Sequence, residues 1–353
     1  MVTGNRISGL IALFALLMLA MLAPDAAYSQ GKGEPPALQP GQLLILTRAG
    51  EFLTLDLTTG HATPSFNLNL GTREAYDFIV DAENQKIYVL TSPNCCQVSE
   101  RGISHVIEVD LHTGTTRLVF EKENLVKLHL LPGSQRISLA FYPADLSRLT
   151  GIEPIHECIL DISSGICEDT LEMGRYEHIN WLDDETFVGT IEPERSSYLV
   201  DLNAHESKEL PVAALFVSPI PAEAHEILLT NGIGAGDFTR LNLETLATTG
   251  FSVQGEYDPT REFYPVSFSP NGEYLLFSYD HASLIAESAT GAVVARWEDV
   301  SVPQWLPDST GLVAMSAPDC LNQTSLVLFS PESQGVRTIA ILENVCCFAV
   351  FPE

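Results

Sequence analysis

The chain has 353 residues, 45% of them hydrophobic, which is enough for a packed core and excludes global disorder. Asp and Glu total 46 against 18 Lys and Arg, for a net charge of −28. Such a surface repels phosphate backbones and anionic lipid, so nucleic acid is excluded as a partner. The acids are scattered and not in runs, so they read as a solubility feature before a cation site.

The N-terminus comes first. Arg6 precedes an unbroken apolar run, Leu10–Ala23, and the small residues Ala26, Ala27 and Ser29 follow. The run is short for a membrane span. It predicts an export signal over residues 1–29, cleaved near Ser29–Gln30; an uncleaved anchor is the alternative. Residues 30–41, rich in Pro and Gly, are expected as a flexible leader. The expected location is therefore secreted or periplasmic, or membrane-tethered if the signal stays. The seven cysteines suit an oxidising compartment.

From Gln42 onward two tags alternate. One is an apolar strand, an Asp, Asn or Glu, and a turn ending in Gly. It reads LTLDLTTG at Gly60, VIEVDLHTG at Gly114, CILDISSG at Gly165, LIAESATG at Gly291 and LVLFSPESQG at Gly335. Eroded copies end at His205 and Ala247. The period is roughly 40–54 residues. The acid or amide and the Gly are what a tight turn needs. The second tag precedes the first and holds two strands about a turn. VSFSPNGEYLLFSYD, Val266–Asp280, is its clearest copy, and weaker ones start at Phe78, Leu128, Ile179 and Pro303. Each unit is then four short antiparallel strands, the pattern of a β-propeller blade.

The Val266–Gly291 copy, with FSPNGEYLLFS and a turn ending in Thr-Gly, resembles the WD-like repeat of TolB-type β-propellers. At the level of strand order the resemblance covers residues 42–353. The first unit has three strands, and NVCCFAVFPE (Asn344–Glu353) resembles the first strand of a blade. The prediction is an all-β fold, a single β-propeller of seven four-stranded blades closed by the C-terminal strand. The predicted blades are 42–70 with 344–351, 75–120, 124–171, 178–210, 213–250, 262–297 and 300–340.

By propeller geometry the longer loops, Ser92–Ser104, Pro143–Glu157, Asn231–Asp237 and Ala317–Gln323, share one face, the usual place for binding residues. Three blade entries carry a similar cluster: Arg73, Glu74, Tyr76 and Asp77; Arg175, Tyr176, Glu177 and His178; Arg261, Glu262 and Tyr264. They are expected around the mouth of the central channel, either as a polar ring that binds an anionic or hydrogen-bonding group or as pairs locking the inter-blade loops. Cys158 and Cys167 flank one turn and are expected to bond across it. Cys95, Cys96, Cys320, Cys346 and Cys347 map to one face of three consecutive blades, as disulfides clamping the closure, a vicinal redox pair or, least in keeping with their spacing, a metal site.

No catalytic motif, metal pattern or cofactor fingerprint stands out, so no cofactor and no metal are expected. The expected role is a monomeric, non-enzymatic module that binds a protein or cell-envelope partner through the long-loop face. The alternative is a propeller-type enzyme (lyase, glycosidase or quinoprotein-like) with a central-channel site drawn from Glu74, Asp77, Glu177, His178 and Glu262.

Overall fold

The computed structural model describes residues 31–33, 36, 42–93, 102–131, 135–142, 156–168, 176, 178–183, 185–191, 196–214, 216–220, 225–230, 237–254, 264–279, 282–298, 300–316, 323–331 and 335–350. Among the described residues there is no helix. The first blade is built from β1 (Lys32–Gly33), β2 (Gln42–Thr47), β3 (Glu51–Asp56) and β4 (Ala62–Asn67). Blade 2 holds β5 (Glu74–Asp81), β6 (Lys86–Ser92), β7 (Ile103–Asp110) and β8 (Thr116–Glu123). Blade 3 holds β9 (Leu125–Leu130), β10 (Arg136–Phe141), β11 (His156–Asp161) and β12 (Ile166–Glu168). Blade 4 holds β13 (His178–Trp181), β14 (Thr186–Ile191), β15 (Ser196–Asp201) and β16 (Glu206–Glu209). Blade 5 holds β17 (Phe216–Pro219), β18 (Glu226–Thr230), β19 (Asp237–Asn242) and β20 (Thr248–Ser252). Blade 6 holds β21 (Tyr264–Phe268), β22 (Tyr274–Tyr279), β23 (Ala282–Glu287) and β24 (Val293–Glu298). Blade 7 holds β25 (Val300–Trp305), β26 (Leu312–Ser316), β27 (Gln323–Ser330) and β28 (Gly335–Glu343), and β29 (Val345–Val350) follows.

Blades 2 to 7 are antiparallel meanders of four strands in chain order. Blade 1 runs β1-β4-β3-β2-β29, so the C-terminal strand supplies its missing strand by pairing with β2, Leu43 opposite Val350. The seven-bladed propeller closes as the strand count predicted. Within the stretch expected as a leader, Lys32 and Gly33 pair with Asn67 and Phe66 on the outer strand of blade 1. First strands touch from blade to blade, β25 with β29, β29 with β5, β5 with β9, β13 with β17 and β17 with β21, which sets them on the inside of the ring.

The core is divided among the blade interfaces, because a sheet can bury its two faces only against its neighbours. Leu46, Phe52 and Phe78 fill the space between blades 1 and 2. Phe238, Phe251 and Phe277 fill that between blades 5 and 6. Leu43, Ile45, Val313 and Phe348 fill that between blades 7 and 1, so the closing interface is as apolar as the others.

The repeated turn has a single chemistry. Asp56 Oδ1 accepts hydrogen bonds from the Thr58 and Thr59 amides at 2.8 and 2.7 Å, and the Gly60 amide returns to the Asp56 carbonyl at 2.8 Å. Asp110 does the same with His112 and Thr113, and Asn242 with Glu244 and Thr245. The last loop residue needs positive φ, as Gly60 (69°) and Gly291 (73°) show, whereas the eroded copies force His205 (53°) and Leu246 (57°) into it. Gly291 has a second reason to be Gly: a Cβ there would lie 2.1 Å from the Ser252 carbonyl oxygen of the preceding blade.

The inner strands share a feature that the sequence does not announce. In β5, β9, β21 and β29 one extra residue interrupts the ladder, at Tyr76, Val126, Val266 and Cys346, and β25 is interrupted between Ser301 and Gln304. Such a bulge bends the strand and re-aims the side chains beside it. The next residue, Asp77, Lys127, Ser267, Cys347 or Gln304, is polar, and an apolar anchor follows. Two of these polar residues tie their blade to the next. Gln304 donates to the Phe348 carbonyl at 2.9 Å and accepts from the Val350 amide at 3.2 Å. Asp77 accepts from the Leu128 amide at 3.3 Å.

Candidate functional site

A polar recess among the described residues follows from one departure from this repeat. Beyond the inner strand, the positions level with the post-bulge residue are apolar in four blades: Leu46–Phe52, Leu90–Val106, Leu276–Ile285 and Val313–Leu328. In blade 3 the corresponding pair is Ala140–Glu157, with Lys127 opposite Ala140. A small residue and a carboxylate thus stand where the core pattern wants two large apolar groups. The result is a cavity of about 260 Å³, lined by Lys127, Leu128, His129, Ser138, Ala140 and Glu157 of blade 3, Ile179, Asn180 and Trp181 of blade 4, and Val217 of blade 5.

Glu157 Oε2 accepts from the Ser138 hydroxyl at 2.7 Å and from the Trp181 indole nitrogen at 3.4 Å. Both donors address the same oxygen. Burial pushes the Glu157 carboxyl above the usual carboxylate range, and the two hydrogen bonds and the Lys127 ammonium only partly offset it. His129, opposite Ser138, moves the other way, because burial and then Lys127 hold its imidazole toward the neutral form. A carboxyl inclined to keep its proton, a neutral imidazole and an ammonium can between them donate and accept hydrogen bonds to a small polar ligand. Glu157 lies just after the connection between Phe141 and His156, so the cavity sits beneath the face that carries the long connections.

The residues expected at a channel mouth fare differently. Arg73 donates to the Thr91 hydroxyl at 3.1 Å and to the Thr91 and Ile103 carbonyls, which fastens the ends of β6 and β7. Glu74 begins β5, and Tyr76, the bulge residue, packs against the core between blades 2 and 3. Asp77 is desolvated, which raises its pKa to about 6, and its oxygens accept from the Phe78 and Leu128 amides. Tyr176 is only 4% exposed and packs edge-on to Phe187 in the core between blades 3 and 4. His178 and Tyr264 begin β13 and β21; Arg175, Glu177, Arg261 and Glu262 lie outside the described residues.

The cysteines divide as well. Cys158 and Cys167 form the disulfide expected across the β11–β12 turn, Cα to Cα 5.7 Å. Cys346 and Cys347, also named as disulfide candidates, are thiols in this structure, and the bulge turns their sulfurs toward each other at 2.9 Å. Cys95, Cys96 and Cys320 lie outside the described residues. The residues that reasoning from sequence missed are Lys127, His129, Ser138, Glu157 and Trp181. The available signal was Glu157, an acid inside the apolar alternation of HECILD.

No protein-family model matches the sequence, and no curated protein matches it. Solved structures do. A protein from Desulfotomaculum acetoxidans described as functionally unknown is 10% identical with a TM-score of 0.55, over 89% of this chain and 100% of that one. Hsv2 of Kluyveromyces lactis is 9% identical with a TM-score of 0.53, over 88% of this chain and 96% of that one. At such identities the likeness shows the shared fold alone.

Proposed function

We propose that this chain is an exported propeller of the TolB-type WD-like kind that acts as a binding module for a protein or cell-envelope partner through its long-connection face. Export is supported by the apolar run Leu10–Ala23 and by the Cys158–Cys167 disulfide. The observation that carries the binding role is the inequality of the two faces. In blades 2 to 7 the first-to-second and third-to-fourth connections lie at one end of the sheet, while the second-to-third connections leave from the other. Two of those, 93–102 and 142–155, are among the longest in the chain. A ring that carries its longest connections on one side is a scaffold for recognition. The test replaces 143–154 and 94–101 by short Gly-Ser linkers and compares partner cross-linking on intact envelopes with the parent chain. Recovery of the same partners by a folded double replacement refutes this face.

The cavity favours a second reading, a central-channel enzyme or small-ligand site with Glu157 as its acid. Its check is a thermal-shift panel of small polyols, uronates and amines against the parent and Glu157→Gln. A ligand that stabilises the parent and not the variant supports it, and no ligand-dependent difference removes it.

A further inference from the structure

The closing strand carries chemistry that neither reading uses. Adjacent residues of a regular strand point to opposite faces. Cys346 is the bulge residue of β29, and the bulge sets its side chain on the same side as that of Cys347. The sulfurs are 2.9 Å apart, well inside the roughly 3.5–4.0 Å of ordinary non-bonded contact between heavier atoms. Cys347 is half-buried as a residue, but its thiol is desolvated; the Phe78 amide and the Asp77 carboxylate of blade 2 are beside it. Burial, then the Cys346 sulfur, then the charge of Asp77 hold the Cys347 thiol in its protonated form, which leaves Cys346 as the sulfur that reacts first. The same chain forms a disulfide between Cys158 and Cys167, which accords with the export proposed above. A bond between neighbours closes almost no chain, and the stabilisation from a cross-link grows with the loop it closes. Its role would therefore be chemical before it is structural.

We propose that Cys346 and Cys347 form a redox site, a vicinal dithiol on the ring-closing strand that converts reversibly to a disulfide by exchange with a disulfide-bearing partner. Cys346 gives its proton to solvent, and its sulfur attacks the partner disulfide RSSR, forms a mixed disulfide and expels one thiolate, which takes up a proton. Cys347 then loses its proton to solvent. Its sulfur attacks the Cys346 sulfur, and the second thiolate leaves and is protonated. In sum, two protein thiols are oxidised to one disulfide and RSSR is reduced to two RSH.

Glu343 precedes Asn344, so cleavage after Glu releases both cysteines in one short peptide. The full chain is purified without reductant, unfolded, treated with N-ethylmaleimide and cleaved. The expected peptide is unalkylated and lighter than the dithiol by two hydrogens. Reduction of the folded protein before alkylation gives two maleimide adducts, and oxidised glutathione restores the lighter form. In Cys347→Ser, oxidised glutathione is expected to leave one stable adduct on Cys346. Two maleimide adducts on the oxidised protein overturn the proposal, as does a cross-link from this peptide to one containing Cys95, Cys96 or Cys320.

Discussion

Asp77 gives a prediction whose sign and size both follow from its surroundings. Its carboxyl is buried between blades 1, 2 and 3, and desolvation lifts its pKa from 3.8 to about 6 against the pull of two backbone amides and Lys127. A folded-state pKa above the unfolded value means that the folded protein holds the proton more tightly. The contribution to stability is complete below pH 3.8, and it is lost as pH rises through about 6. One pKa unit corresponds to 1.36 kcal/mol, so ionising Asp77 costs the fold about 2.4 kcal/mol between pH 4 and pH 7.5. Other carboxylates act in the opposite sense: Asp56, Asp110 and Asp161 are held below their usual range by turn hydrogen bonds. The difference between the parent and Asp77→Asn isolates Asp77. Asn leaves one of the two amides facing an NH₂ group, so the variant is expected to be less stable at pH 4. Its deficit should shrink or reverse by pH 7.5. Urea unfolding from pH 4 to 7.5, with reductant present to fix the state of Cys346 and Cys347, measures this. Parallel stability curves for the two proteins would refute the reasoning.

Three further outcomes are expected. Replacing Cys158 and Cys167 together by Ala opens a loop with a sequence separation of 9 and should cost about 2.7 kcal/mol in urea unfolding; a loss below about 0.5 kcal/mol would show that the cross-link constrains nothing. Gly291→Ala puts a Cβ against the Ser252 carbonyl at positive φ and should lower stability by about 2 kcal/mol or more, read by thermal melting. His205→Gly relieves the same backbone conformation at an exposed turn and should raise stability by about 0.5–1 kcal/mol, with an unchanged melting temperature counting against it.

Legibility in the sequence tracked the range of the interaction. The turns were readable because Asp56, Asp110 and Asn242 bond within three residues of themselves, so composition and conformation are coupled locally. The Cys158–Cys167 bond was readable for the same reason. The closing strand was readable because an odd strand at each end of a repeat leaves only one way to complete a sheet. The cavity was not. Glu157 sits one residue from the end of a strand, and only the register that places it beside Ala140 and opposite Trp181 shows that it occupies a core position. Arg73 and Tyr176 drew notice through a recurring sequence cluster, but the cluster says nothing about burial. One guanidinium fastens strand ends and one ring fills a core. The bulge that brings Cys346 and Cys347 together depends on pairing with β2, some three hundred residues earlier.

That pairing also dictates an order of assembly. During synthesis β29 follows every other strand, so until it is made β2 has an unpaired edge and the faces of blades 7 and 1 lack Val345 and Phe348 between them. The other blades can stack as they emerge, but the ring can close only afterwards. Chains that stop short of Val345 would keep both an open edge and an open apolar seam, the two features that most invite association with another copy.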